Sequence, residues 1–133
     1  MNTKLMMRIT IMILFMVPSF AFSQRDVLDN VASAIRSGNS REIAKYFDSN
    51  VELTILDRES SYSKSQGEMV LRDFFNKNQV QAFDLKHRGT SGEGSTYGIG
   101  TLKTNAQNFR VYYYVKQKGS QSLIQEMRFE KQN

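Results

Sequence analysis

From Val80 to its last residues the chain runs through four apolar/polar alternations divided only by short polar turns, with no helical spacing between them. Phe83, Leu85 and His87 alternate with Asp84, Lys86 and Arg88, and a glycine-rich turn follows from Gly89 to Ser95. Tyr97 to Lys103, Phe109 to Lys116 and Leu123 to Glu130 come next, separated at Thr104-Asn105 and at Lys118-Gly119-Ser120. Strands joined this tightly pair antiparallel, because a parallel crossover takes roughly a dozen residues or more. The C-terminal half is thus a meander, and a meander with one apolar face needs a cover.

The N-terminal half supplies that cover. Asp26 is placed to cap a helix in which Val27, Leu28, Val31, Ala32 and Ile35 recur at helical spacing, and Gly38 is placed to end it. Asn39 and Glu42 have the spacing of a capping box and open a short second helix with Ile43, Ala44 and Phe47 on its apolar side. The period then changes to two, with Val51, Leu53 and Ile55 opposite Glu52 and Thr54, which predicts a half-buried strand. Asp57-Arg58-Glu59-Ser60 reads as a turn and Ser61 to Ser63 as a short partner strand. Ser65-Gln66-Gly67-Glu68 reads as a second capping box, ahead of a third helix carrying Val70, Leu71, Phe74 and Phe75. The predicted fold class is α+β: three N-terminal helices on a curved, mostly antiparallel sheet, forming one cone-like domain over 24–133.

Residues 1–23 have a different character. Lys4 and Arg8 form a positive head, Ile9 to Val17 is apolar, and Ala21-Phe22-Ser23 offers the small residues a signal peptidase reads, so cleavage is expected after Ser23 and before Gln24. Pro18 interrupts the apolar stretch short of the roughly 20 residues that span hydrocarbon, and no stable membrane anchor is expected after cleavage. The destination is periplasmic or extracellular. Without Lys4 and Arg8 the 18 basic residues become 16 against 13 acidic ones, so the excess falls from +5 to +3. The chain has no Cys and one His, which excludes disulfides and a lipidated cysteine, leaves a zinc site dependent on carboxylates, and gives no reason to expect a metal or cofactor.

The order helix, helix, strand pair, helix, four strands resembles the nuclear transport factor 2-like superfamily, the cystatin-like α+β cone shared with ketosteroid isomerase and SnoaL-type proteins. More narrowly, the chain resembles a family of small exported Bacteroidetes-type proteins of unknown function. Ala44-Lys45-Tyr46-Phe47, Val51-Glu52-Leu53-Thr54-Ile55, Leu71-Arg72-Asp73-Phe74-Phe75, His87-Arg88-Gly89 and Tyr97-Gly98-Ile99-Gly100-Thr101-Leu102 carry that likeness. The resemblance implies the cone, and it implies that the outer sheet face serves as a homodimer interface. Enzymes of this fold resemble one another in placing carboxylates inside the cone.

Strict alternation assigns Phe83, Leu85, His87, Tyr97, Ile99, Thr101, Phe109, Val111, Tyr113, Val115, Leu123, Gln125, Met127 and Phe129 to the inner face. Its polar members His87, Tyr97, Tyr113 and Gln125 are the candidate ligand-binding residues of a pocket in the cone, for a small molecule or glycan. A histidine beside tyrosines in an apolar pocket suits acid–base work, so the alternative is an isomerase, dehydratase or hydrolase using His87 and Tyr97. Against it, a lone histidine on an apolar face is more often a hydrogen-bonded wall residue, and Asp84, Glu126 and Glu130 fall on the outer phase. No catalytic residue is assigned. That outer phase also carries Lys86, Arg88, Arg110, Tyr112, Tyr114, Lys116 and Arg128. Of these, Arg110, Tyr112, Tyr114, Lys116 and Arg128 are the candidate interface, and export sets nucleic acid aside as a partner. Gly98 and Gly100 are read as bending the sheet. The expectation is an exported, non-catalytic binding or interaction domain.

Overall fold

The computed structural model describes residues 26–133. The leader expected over 1–23 and the cleavage expected after Ser23 lie outside the described residues. Helix α1 is Val27–Ser37, and Asp26 caps it through an Oδ1 that accepts the Leu28 N–H at 3.2 Å. Gly38 ends it at φ 65°, donating its N–H to the Ile35 carbonyl at 2.9 Å. Helix α2 is Ser40–Ala44, with the Asn39 side chain accepting from the Arg41 and Glu42 N–H groups. The reciprocal half of the expected box is replaced: the Asn39 N–H donates to Ser37 Oγ, and Glu42 pairs with Lys45 at 2.8 Å.

Strands β1, Phe47–Ile55, and β2, Arg58–Ser63, form a hairpin in which Ile55 pairs with Arg58. The turn is therefore Leu56-Asp57, earlier and shorter than the expected Asp57 to Ser60. Helix α3, Lys64–Lys77, also starts earlier than expected. Its capping box is Ser63 with Gln66 instead of Ser65 with Glu68, and Glu68 reaches Arg72 one turn on at 3.4 Å.

Strands β3, Val80–Thr90, β4, Thr96–Thr104, β5, Asn108–Lys118, and β6, Gln121–Lys131, form the predicted antiparallel meander. The sheet order is β2-β1-β6-β5-β4-β3, with β1 parallel to β6. That parallel pair joins strands far apart in the chain, so the meander itself needs no crossover.

The three helices cover one face of this sheet. Phe74 of α3 lies between Phe109 and Phe129, with ring centroids 5.0 and 4.7 Å away, and Phe75 adds an edge-on contact to Phe129 at 6.2 Å. Tyr113 is fully buried beneath α1, its hydroxyl donating to the Leu28 carbonyl at 2.7 Å. Arg36 ties α1 to β3 by donating through Nε and Nη2 to the Phe83 carbonyl at 3.2 and 3.0 Å. Every buried side-chain nitrogen or oxygen among the described residues has a partner. The concave side is thus occupied by side chains from both layers.

The register corrects five of the inner-face assignments, Tyr97, Ile99, Thr101, His87 and Leu123. On β4, Gly98 pairs with Tyr113, Gly100 with Val111 and Leu102 with Phe109, all of the buried set. Tyr97, Ile99 and Thr101 therefore face outward, opposite Tyr114, Tyr112 and Arg110. On β3 the register shifts between Leu85 and His87, an extra residue at Lys86 that turns the strand over. His87 now lies opposite outward Ile99, whereas Arg88 lies opposite Gly98 on the helix side. On β6 a second shift, at Gln125, leaves Ile124 inside and Leu123 outside opposite Lys116. Gly98 and Gly100 have a role beyond curvature: a Cβ there would come within 2.6 Å of the Tyr113 and Phe83 rings respectively. The glycines are the space these two rings occupy.

Candidate functional site

The four residues grouped into a cone pocket are not brought together. Tyr113 is sealed in the core, and burial pushes its hydroxyl above the ordinary phenol range. His87 is exposed and Tyr97 half-buried on the opposite face, so the acid–base pair lacks the apolar enclosure that reading required. Gln125 sits at the β6 bulge and donates from Nε2 to Asp48 Oδ2 at 2.9 Å. Lys118 bonds the same carboxylate oxygen, and the Ser49 N–H donates to Oδ1 at 2.7 Å. Lys118 foremost, then Gln125 and Ser49, hold the Asp48 carboxyl well below the usual carboxylate range. This cluster pins two register irregularities, one on β1 after Phe47 and one on β6 at Gln125.

Arg88 leaves the predicted outer set for the same reason that His87 joins it. Its guanidinium crosses to α1, with Nη2 on Asp29 Oδ1 at 2.6 Å, Nη1 on Asp29 Oδ2 at 3.2 Å, and Asp26 at 3.6 Å. The Asp29 hydrogen bonds hold Arg88 still more firmly protonated.

The five candidate interface residues do share one face, which no described helix covers. Arg110, Tyr112, Tyr114 and Lys116 alternate along β5 and Arg128 lies opposite Tyr112 on β6. Tyr97 and Ile99 join them, the Tyr97 and Tyr112 rings lying 6.2 Å apart and tilted 32°. Arg128 sits 5.5 Å over the Tyr112 ring and is anchored by Glu126, which raises its already high pKa. Arg110 pairs with Glu130 at 3.6 Å. Arg110–Glu130 is the cross-strand pair expected of opposite charges on one sheet face, whereas Arg128 and Glu126 pair along β6. Burial foremost, then Glu126, raises the Tyr112 phenol, so it stays a neutral hydrogen-bond donor.

Charge is unevenly spread over this face. Glu52, Glu59 and Glu126, with carboxylate oxygens all within 4.8 Å of one another, form an acidic corner over β2, β1 and β6. Arg110 and Lys116 flank Tyr112 and Tyr114 along β5, and Lys103 on β4 and exposed His87 on β3 lie beyond that strand. Glu126 is already engaged by Arg128, and Glu52 and Glu59 are exposed, so the trio is a charged patch without the enclosure of a built cation site.

A groove opens elsewhere, on the helix-bearing side between β2 and α3. It encloses about 350 Å³ over Ile55, Tyr62, Val70, Phe74 and Phe109, with Arg58, Asp73 and Lys77 at its rim. Leu56 forms its lip at φ 57° and 42% exposure. A two-residue hairpin favours Gly or Asn at such a position, and a leucine there costs about 1 kcal/mol or more. Alternation alone does not reveal this groove; the signal for it is the apolar residue in that turn.

Comparison with known proteins places these features in a family. The family described as Domain of unknown function (DUF4783) matches residues 28–130. A DUF4783 family protein of Bacteroides uniformis has a crystal structure similar to this one, at TM-score 0.77 and 30% identity over 81% of this chain and 99% of that chain. A cystatin-like domain of unknown function from Nostoc punctiforme is similar in fold at TM-score 0.62, with 8% identity over 80% of this chain and 73% of that one. An NTF2-like protein of unknown function from Cytophaga hutchinsonii is similar at TM-score 0.58, with 10% identity over 81% of this chain and 88% of that one. No curated protein matches the chain.

Proposed function

The chain belongs to the DUF4783 family, and from that premise we propose that it is an exported, non-catalytic interaction module that pairs with a second copy of itself through the uncovered sheet face. The observation that carries this reading is the composition of that face: Tyr97, Ile99, Tyr112 and Tyr114 form an apolar centre that no described helix covers. Tyrosine and arginine are the residues enriched where proteins meet, since a ring buries much area at little entropic cost. The acidic corner over β2, β1 and β6 and the cations of β5 and β4 give the face charges of both signs, which suit self-pairing. A twofold axis through the tyrosines sets Glu52 and Glu59 of each copy against the β4–β5 cations of its mate. Export enters through the leader-like character of Met1 to Ser23. Among the described residues no helix is long and apolar enough to cross a membrane.

The test is sedimentation of the purified protein. The wild type is expected to sediment as a dimer, and Tyr112→Glu with Tyr114→Glu as a monomer of unchanged circular dichroism. A monomeric wild type, or a double variant that stays dimeric, overturns the proposal.

A further inference from the structure

We propose that the groove between β2 and α3 binds a medium-chain carboxylate, its tail lying over Tyr62, Val70 and Phe74 and its headgroup held by Arg58 and Lys77. About 350 Å³ is room for about a dozen non-hydrogen atoms at roughly 30 Å³ each, the size of a ten-carbon acid. The floor is made of Ile55, Tyr62, Val70, Phe74 and Phe109, so what lies on it gains by leaving water.

The rim decides the sign of the ligand. Arg58 and Lys77 are exposed, and neither forms a salt bridge among the described residues. Asp73 is the single acidic residue of the lining, so the groove carries one uncompensated positive charge and suits a monoanion. The planar fork of Arg58 matches a carboxylate, while Lys77 offsets the negative carbonyl end of α3. Beyond Val70 the trough continues along α3 to Met69, which is 62% exposed. With Leu56 at the other lip, this places the two large exposed apolar side chains of the described residues on the ligand's path. A tail that runs from the Arg58 end toward Met69 removes apolar surface from water there.

This site lies on the helix-bearing side, away from the tyrosine face, so it stands or falls separately from self-association. The experiment titrates the purified protein with decanoate, following the heat of binding and the amide resonances of Leu56, Val70 and Lys77. Decanoate is expected to bind and to move these resonances. Decanol, with the same tail and no charge, is expected to bind at least about tenfold more weakly. Arg58→Ala with Lys77→Ala is expected to weaken decanoate at least about tenfold while leaving decanol binding unchanged and lowering the melting temperature by about 5 °C at most, for the lost charge at the end of α3. Absence of decanoate binding, equal affinity for decanol, shifts confined to the tyrosine face, or wild-type affinity in the double variant would each overturn the assignment.

Discussion

The two faces of one six-stranded sheet are built on opposite plans, and β5 shows both in a single strand. Phe109, Val111, Tyr113 and Val115 point under the helices and are fully buried, while Arg110, Tyr112, Tyr114 and Lys116 point away from them. Both sets are rich in aromatics, yet only one is sealed. On the sealed face energy comes from close packing, so each side chain depends on its neighbours' shapes. On the uncovered face it comes from a cation over a ring and from charge pairs that water still reaches, and such contacts are individually weak. Stability therefore resides on one face, and the other is free to be spent on partners.

The widest split is expected between Phe129 and Tyr112. Phe129→Ala opens a cavity against Phe74 and Phe75 and is expected to cost about 3–5 kcal/mol in urea unfolding, independent of protein concentration. Tyr112→Ala removes a half-buried ring and is expected to cost about 1 kcal/mol or less in dilute solution. Its cost should grow as concentration rises, because only the dimer loses the buried contact. Equal, concentration-independent losses would erase the contrast between the faces.

Neighbouring tyrosines sharpen the same contrast at smaller scale. Tyr113→Phe deletes a buried hydrogen bond to the Leu28 carbonyl and is expected to cost about 0.5–1.5 kcal/mol, whereas Tyr114→Phe is expected to stay within about 0.5 kcal/mol of wild type in the monomer. Thermal unfolding of the two variants side by side checks it. A larger loss at Tyr114 would mean that the strand is turned over.

Element order and helix faces were legible in the sequence because each depends on local pattern: Asp26, Gly38 and the Leu28–Val31–Ile35 stripe are readable without knowing the fold. The face assigned to His87 was not, because the residues around Lys86 alternate equally well on either side of a bulge and only β4 decides which is skipped. On β4 the larger residues Tyr97 and Ile99 pointed to the wrong phase. The glycine phase is the inner one, because Phe83 and Tyr113 fill the space from adjacent strands. Leu102 and Thr104, buried in that same even phase, were the available signal. Arg110, Tyr112, Tyr114 and Lys116 stay on the face that alternation assigned them because β5 runs without a bulge of its own.

A further small effect is expected at the Asp48 cluster, which bonds across the irregular stretches of β1 and β6. Asp48 has its folded-state pKa lowered, chiefly by Lys118, relative to an unfolded value near 3.9. A carboxyl shifted down stabilises the fold fully above its unfolded pKa and loses that contribution as pH falls through the folded one. Wild type is therefore expected to lose stability progressively below about pH 5, while Asp48→Asn, which cannot titrate, lacks this part of the acid loss. With Lys118 half exposed, water screens the pair, and the difference at neutral pH is expected to be about 1 kcal/mol at most. Urea unfolding of both proteins between about pH 3 and 7 should narrow their difference toward the acid end without closing it, because the folded carboxyl titrates below that range. Curves that stay parallel across that range would mean that Asp48 holds the bulges by shape alone, and that the sealed face needs no charge to keep its register.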